Sequence, residues 1–188
     1  MDKFIHLKRK AIPSDHCVHI INYFERSLEK IIDNKRGYSR VVVNPNSLHL
    51  GNILADGLDE YKKKHPTLSH TATGTLVPVG YYYRSNIQKY SPGDYYNITH
   101  FERGWTLDEE SNFRVLAWII YLNTIRHKGG TYWPNQRFTS KPREGDLYIW
   151  PADFTHIHHG IPAPKETKYI ITGWYNFPSP NVLPKYFK

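Results

Sequence analysis

The chain has 188 residues but a single cysteine, Cys17. One cysteine excludes an intrachain disulfide, and this scarcity is typical of a reducing cytoplasm rather than of a secreted scaffold. The sequence also lacks the apolar run of about 18 residues that a membrane-spanning helix needs. Its first ten residues, MDKFIHLKRK, contain no apolar signal segment. We therefore expect a cytoplasmic protein with no membrane partner.

Acidic residues are fewer than basic ones, 17 against 25, which gives a formal net charge of +8. The basic residues are spread along the chain, and the densest groups are at 8–10 and 62–64. This spread favours a solvated basic surface, so we do not expect a nucleic-acid partner. The content of hydrophobic residues, 39%, and the length suit one domain with one core.

Two amphipathic helices are predicted in the first third of the chain. In residues 13–33, apolar residues recur at intervals of three and four, which gives a helix one buried face. Residues 47–64 form the second predicted helix, with Ser47 as its N-terminal cap and His65-Pro66 as its stop. The face of the first helix comprises Cys17, Ile20, Ile21, Phe24, Leu28 and Ile31.

From about residue 76 the pattern changes to short β-rich runs between Gly, Pro, Asp and Asn breaks. RVLAWIIYLN is nearly all apolar, which predicts a central strand buried on both faces. Helices followed by strands indicate the α+β class. Many short strands around a polar interior favour a double-stranded β-helix (jelly-roll or cupin-like) core braced by the N-terminal helices. The predicted strands are 84–90, 114–122, 131–133, 147–150 and 169–175.

Metal-ligating residues occur in two places. His100 and Glu102 are two apart, which places them on one face of a strand. The segment PADFTHIHHG, which follows three further predicted strands, offers His156, His158 and His159 as a third ligand. Two imidazoles and one carboxylate form the facial triad of non-haem Fe(II), which leaves three open positions. Zinc could use the same ligands, so the spacing alone leaves the metal and the third histidine open.

Five segments occur in a recognisable order between residues 87 and 175: IQKYSPGDYYNITHFE, RVLAWIIYLN, KGGTYWPNQ, SKPREGDLYIWPA and HHGIPAPKETKYIITGWY. Together they resemble the catalytic core of the 2-oxoglutarate/Fe(II)-dependent dioxygenases, in particular the prolyl 4-hydroxylase-like branch with its phage and bacterial members. The resemblance covers about half of the chain. Residues 1–80 resemble the family only loosely, as its helical brace.

The resemblance implies that His100, Glu102 and His158 are the catalytic iron ligands. His158 is preferred over His159 because Pro162 follows it by four residues, as in the family. His159 stays the alternative. The family's usual carboxylate is Asp, so Glu102 is a departure that puts the strength of iron binding in question.

The same resemblance implies a cosubstrate site for 2-oxoglutarate. Lys168 matches the family's cation that pairs with the distal carboxylate of 2-oxoglutarate, with Lys165 as its alternative. Tyr121 is expected to hydrogen-bond the same carboxylate. Tyr90 is expected to line the cosubstrate site near the metal.

The implied function is that of an Fe(II)- and 2-oxoglutarate-dependent hydroxylase that uses O₂, with ascorbate as an optional reductant, and releases succinate and CO₂. Its substrate would be peptidyl proline or another protein or small molecule. If a phage encodes the chain, its setting would be the host cytoplasm. The alternative is a metal- or sugar-binding jelly-roll protein without oxygenase activity.

The expected organisation is a single domain, 1–188. Residues 1–80 would form the brace and the first strands, 81–178 the oxygenase core and 179–188 a tail. The loop 104–112 is expected to cover the cavity.

Overall fold

The computed structural model describes residues 3–35, 37–69, 84–104 and 109–177. The predicted tail and the predicted boundary near residue 80 lie outside these residues. Within them the elements, in chain order, are β1 (His6–Lys8), α1 (Ser14–Arg26), β2 (Ile31–Asp33), β3 (Tyr38–Val43), α2 (Gly51–Lys64), β4 (Ser85–Tyr90), α3 (Glu109–Asn112), β5 (Arg114–Tyr121), β6 (Thr131–Trp133), β7 (Phe138–Thr139), β8 (Leu147–Pro151), β9 (His159–Gly160) and β10 (Lys168–Asn176).

The strands form two antiparallel sheets. The large sheet has seven strands in the order β1-β8-β5-β10-β4-β3-β2, and the small sheet has three in the order β7-β6-β9. Both α1 and α2 pack on the outer face of the large sheet, and the small sheet packs against its inner face. This arrangement confirms the predicted double-stranded β-helix core braced by N-terminal helices.

Alternation along β5 shows why the central strand is apolar at nearly every position. Trp118 and Ile120 pack with the helices, whereas Ala117, Ile119 and Tyr121 pack between the two sheets. Successive side chains of a strand point to opposite faces. Because both faces of β5 are covered, a polar side chain on either face would be buried and would need a hydrogen-bond partner.

The first helix is shorter than the predicted 13–33. It ends at Arg26, where Ser27 adopts an extended conformation and its N–H bonds the carbonyls of the last turn. Leu28, predicted on the buried face, is fully exposed, and the residues from Ile31 onward pair with β3. The prediction is wrong beyond Arg26. Over a few residues a helical spacing of apolar side chains also fits a strand, and here the pairing with β3 decides the structure.

The second helix begins later than predicted. Residues 45–48 form a separate 3₁₀ turn, which Asn44 caps by accepting a backbone N–H at 2.9 Å. The Ser47 hydroxyl donates to the Asn44 carbonyl at 2.7 Å, so Ser47 lies inside this turn and the predicted cap is wrong. The stop is confirmed, since α2 ends directly before His65. The five predicted β-core strands are found within one or two residues of their predicted bounds.

None of the helices among the described residues is long and apolar enough to cross a membrane.

A close contact between β5 and β10 depends on a glycine. A Cβ at Gly173 would lie 2.7 Å from the Trp118 ring and 2.9 Å from the Ser85 hydroxyl. Real Cβ atoms do not come this close, and a fully buried indole has little room to move.

Gly173→Ala is therefore expected to lower the free energy of unfolding by about 1–3 kcal/mol, measured by urea unfolding followed by circular dichroism. Gly104→Ala is the control, because a Cβ there meets no atom of the described residues within 4 Å, and it should change stability by less than about 0.5 kcal/mol. Equal stability of both variants and the wild type would contradict the packing argument.

Candidate metal centre and its cavity

The two histidines of the centre are held together by their main chains. The His100 N–H donates to the His158 carbonyl at 3.0 Å, and the His158 N–H donates to the His100 carbonyl at 2.8 Å. This isolated bridge brings the two imidazole rings to a centroid distance of 4.5 Å. Two distant segments of the chain thus present their rings side by side.

Glu102 turns its carboxylate back toward both rings. Its Oε1 lies 3.4 Å from the His100 Nε2 and 3.3 Å from the His158 Nε2. The segment after His100 is not a regular strand, because the N–H groups of Glu102 and Arg103 both donate to the carbonyl of Ala152. The predicted shared face is therefore reached through an irregular backbone.

The hydrogen bonds of the two rings decide which nitrogen faces the carboxylate. The Nδ1 of His100 lies 2.9 Å from the Ile98 carbonyl, and the Nδ1 of His158 lies 3.0 Å from the His156 carbonyl. A carbonyl only accepts, so each Nδ1 carries a proton, and a ring in its neutral form directs its Nε2 lone pair inward. Three electron-pair donors then converge within 4.8 Å of one another.

The second carboxylate oxygen of Glu102 is held from the opposite side. The indole N–H of Trp174 donates to its Oε2 at 2.8 Å, and Arg114 lies 3.8 Å from the same oxygen. Arg114 also donates to the Glu102 main-chain carbonyl at 2.9 Å and stacks 3.6 Å above the Trp174 ring. Burial alone would raise the pKa of Glu102, but the hydrogen bonds and positive charge that the two imidazoles provide when protonated outweigh burial and hold that pKa well below 4.5. The carboxylate is therefore ionised and oriented.

Sequence reasoning assigned no role to Arg114 or Trp174. Both stood at the ends of quoted segments, RVLAWIIYLN and HHGIPAPKETKYIITGWY, which was the available signal. Such partners orient a metal ligand, and losing one typically costs about 10–100-fold in metal affinity.

The other two histidines of the cluster lie away from the triad. The Nδ1 of His159 is 3.3 Å from the Thr99 hydroxyl, and its ring lies edge-on to Tyr132. The Nε2 of His156 lies 2.9 Å from the Lys3 carbonyl. His156 contributes to the centre through its main-chain carbonyl, not through its ring.

The ligand atoms open into a cavity of about 460 Å³ between the sheets. Small-molecule sites have volumes of roughly 300–1,000 Å³. The predicted covering loop lies partly outside the described residues, since 105–108 are not described. Of its described residues, Gly104 and Ser111 line the cavity, and the Ser111 hydroxyl donates to the Gly104 carbonyl at 2.8 Å.

Lys168 lies at the other end of this cavity. It is 4% exposed, its Nζ donates to the Gly129 carbonyl at 3.1 Å, and it lies 4.5 Å from the centroid of the Tyr90 ring. Among the described residues, no carboxylate lies within ion-pair distance of Nζ. Loss of hydration lowers the pKa of Lys168 to about 8. An anion entering the cavity would therefore find a desolvated, unpaired ammonium. The alternative, Lys165, is exposed.

The two tyrosines are placed differently. Tyr90 lines the cavity and donates to the Gln88 side chain at 2.6 Å. Tyr121 is fully buried one layer behind, where its hydroxyl is hydrogen-bonded to Ser140 at 2.6 Å and to Thr131 at 3.1 Å. Burial raises the pKa of Tyr121 to about 12, so the group is neutral. Thr131, which sequence reasoning missed, lines the cavity in front of it.

Fold and site together define a double-stranded β-helix protein with a centre of two histidines and one carboxylate. Residues 85–176 match the sequence profile of the 2OG-Fe(II) oxygenase superfamily. The β-core of the chain is thus similar to this superfamily, as the sequence resemblance predicted.

Three relatives illustrate the similarity. A candidate prolyl 4-hydroxylase of Acanthamoeba polyphaga mimivirus is 31% identical over 103 residues, which cover 47% of this chain and 43% of that protein. The chain thus matches less than half the length of this relative.

Two solved structures share the fold at low sequence identity. The viral collagen prolyl hydroxylase of Paramecium Bursaria Chlorella virus-1, as a 2OG complex, superimposes with a TM-score of 0.71 at 15% identity, covering 94% of this chain and 97% of that one. A prolyl-4-hydroxylase of Pseudomonas putida gives 0.66 at 18% identity, covering 94% of each chain.

His158→Ala is expected to lower Mn(II) affinity by more than the roughly 10–100-fold that loss of an outer partner costs, because it removes a direct ligand. Free Mn(II) can be measured by electron paramagnetic resonance. His159→Ala is the matched control and should bind Mn(II) like the wild type. The opposite ranking of the two variants would show that His159 is the ligand.

Proposed function

We propose that the protein is an Fe(II)- and 2-oxoglutarate-dependent oxygenase that hydroxylates a C–H bond of its substrate. The overall change is substrate C–H, 2-oxoglutarate and O₂ to hydroxylated substrate, succinate and CO₂. The observation that carries this proposal is that the convergent triad and the buried, unpaired Lys168 open into one cavity. A metal site alone would not require the lysine.

His100, Glu102 and His158 would hold the metal. Two imidazole nitrogens and one carboxylate oxygen fit Fe(II) and leave three positions for other ligands. O₂ would be the oxidant and 2-oxoglutarate the co-reductant, and bound Fe(II) would supply the chemistry that activates O₂. The protein contributes geometry, because each ring is fixed through its Nδ1 and Glu102 is fixed through its Oε2.

Lys168 would bind the distal carboxylate of 2-oxoglutarate through a charge-assisted hydrogen bond. The Tyr90 ring beside Nζ restricts where the ammonium can point. Tyr121 would act at the same end with Thr131, to which its hydroxyl is bonded. Because Lys168 is buried, little solvent would screen this ion pair, which strengthens it.

Glu102 is compatible with this role despite the family's usual Asp. Its side chain has one more methylene, and its backbone leaves the regular strand to pair with Ala152. The carboxylate still lies within 3.4 Å of both histidine nitrogens.

For the substrate we propose a peptide or protein, with peptidyl proline as the first candidate. Two similar structures are titled prolyl hydroxylases, and a third, from Trichoplax adhaerens, is a prolyl hydroxylase in complex with a hypoxia inducible factor peptide fragment. These likenesses, at 15–18% identity, support the fold, and the substrate rests on analogy alone.

We also propose that the protein works as one domain in the cytoplasm. The single cysteine, Cys17, is buried, and desolvation raises its pKa to about 12. It is therefore a poor disulfide former.

The direct test is succinate release from 2-oxoglutarate by the protein loaded with Fe(II) and ascorbate. We expect succinate from the wild type, none above background from His158→Ala, and normal release from Lys165→Met. A wild type that forms no succinate with or without prolyl peptides, and that is stabilised by zinc but not by Mn(II) with N-oxalylglycine, would favour a metal-binding protein without oxygenase activity.

The affinity for N-oxalylglycine, a stable analogue of 2-oxoglutarate, should depend on pH through Lys168. The free lysine titrates near pH 8, and a bound carboxylate raises that pKa by favouring the ammonium. Below pH 8 the ammonium is already present and affinity should be flat. Above it, affinity should fall by up to about tenfold per pH unit.

This dependence can be measured by calorimetry on the Mn(II) protein between pH 7 and 9.5. Lys168→Met should bind weakly without the alkaline loss, whereas Lys165→Met should follow the wild type. A wild-type affinity that does not change over this range would contradict the role of Lys168.

A further inference from the structure

A third cation faces the cavity, besides Lys168 and Arg114, and it has no part in the proposed reaction. Arg40 of β3 lines the cavity next to Asn86 and Gln88 of β4. Its Nη1 lies 3.5 Å from the Asn86 Oδ1, at the limit of a hydrogen bond, and its buried Nε has no hydrogen-bond partner among the described residues. A guanidinium has five N–H donors, and burying them without acceptors is unfavourable.

The charges of the cavity leave Arg40 unbalanced. Glu102 is matched by Arg114 and by the metal that the triad would hold, and Lys168 would be matched by 2-oxoglutarate. No carboxylate among the described residues lies within ion-pair distance of the Arg40 guanidinium. An anionic group is therefore the ligand that this position favours.

The sheet register separates Arg40 from the cosubstrate end. Arg40 lies opposite Gln88, which lies opposite Ile170, whereas Lys168 lies opposite Tyr90. Arg40 is thus two strands away from β10. Along the strands it lies two residues beyond the level of Lys168, which is the next position whose side chain faces the cavity. At about 4.8 Å per strand and about 6.7 Å per row, the two backbone positions are about 12 Å apart.

The arginine side chain extends further in the same direction. Its Nη1 approaches Asn86, which lies opposite Thr172 in the next row toward Trp174. Trp174 holds the iron ligand Glu102, so this direction leads to the metal end of the cavity. The guanidinium is therefore placed beside the substrate space rather than beside the distal carboxylate of 2-oxoglutarate.

We propose that Arg40 determines specificity by binding a carboxylate of the primary substrate, so that the enzyme acts on a carboxylic acid or an acidic peptide. This inference rests on the proposed function, because it needs 2-oxoglutarate to occupy Lys168. The planar fork of a guanidinium suits two-point binding of a carboxylate. The Asn86 Oδ1 lies beside one side of this fork.

The test compares two probes of equal shape and different charge, N-acetyl-L-proline and N-acetyl-L-prolinamide. Each is titrated into the protein loaded with Mn(II) and N-oxalylglycine, and its binding is read from the relaxation that Mn(II) imposes on its proton resonances. This readout reports closeness to the metal and needs no turnover. We expect the wild type to bind the carboxylate at least tenfold more tightly than the amide.

Arg40→Gln should bind the two probes within about twofold of each other, and Arg40→Lys should keep part of the preference. Arg26→Gln, on the exposed side of α1, is the matched control and should behave like the wild type. Both Arg40 variants should bind N-oxalylglycine normally, which also shows that they are folded.

Equal binding of both probes by the wild type would overturn the inference without affecting the proposed function, and so would an unchanged preference in Arg40→Gln. Weak N-oxalylglycine binding by both folded Arg40 variants would also overturn it, because Arg40 would then serve the cosubstrate. Absence of N-oxalylglycine binding by the wild type would instead overturn the proposed function, and this inference with it.

Discussion

Reciprocal main-chain hydrogen bonds between His100 and His158 are the constraint on which the site depends. They join the segment after β4 to the strand that leads into β9, so the two rings meet only when the sheets have formed. Glu102, two residues along, can then reach both rings. Three groups that are far apart or unaligned in an open chain are thus brought together, and a cation is the partner that satisfies all three lone pairs.

The strand alternation links this centre to the rest of the fold. Along β10, Ile171 and Tyr175 face the helical brace, while Lys168, Ile170 and Trp174 face the cavity or pack beside it. One strand therefore supplies the buried Lys168 at its start and the partner of Glu102 near its end. Because successive side chains of β10 point to opposite faces, this one strand contacts both the helical brace and the site.

Much of this could be predicted from the sequence, because the decisive features are local. The apolar run of β5 is a pattern that an extended backbone must express. The i,i+2 spacing named His100 and Glu102, which the structure does bring together, although the backbone between them is irregular. The choice of His158 over His159 and the position of Lys168 came from an ordered resemblance to a family. The structure places both side chains at the cavity.

The rest depends on contacts between distant residues, which periodicity does not encode. The end of α1 follows from the pairing of β2 with β3. Tyr121 lies behind Thr131 because Ser140 takes its hydroxyl. Arg114 stacks on Trp174 only after β5 and β10 are neighbours. Each of these contacts can be predicted only when the order of the strands in the sheet is known.

The aromatic surroundings of the centre have an optical consequence. The Trp150 ring lies 5.1 Å from the His158 ring and the Trp133 ring 5.9 Å from it, while Trp174 contacts Glu102. Three of the five tryptophans thus surround the ligands. A paramagnetic ion bound there would quench most of the intrinsic fluorescence, so the native chain carries its own reporter of metal loading.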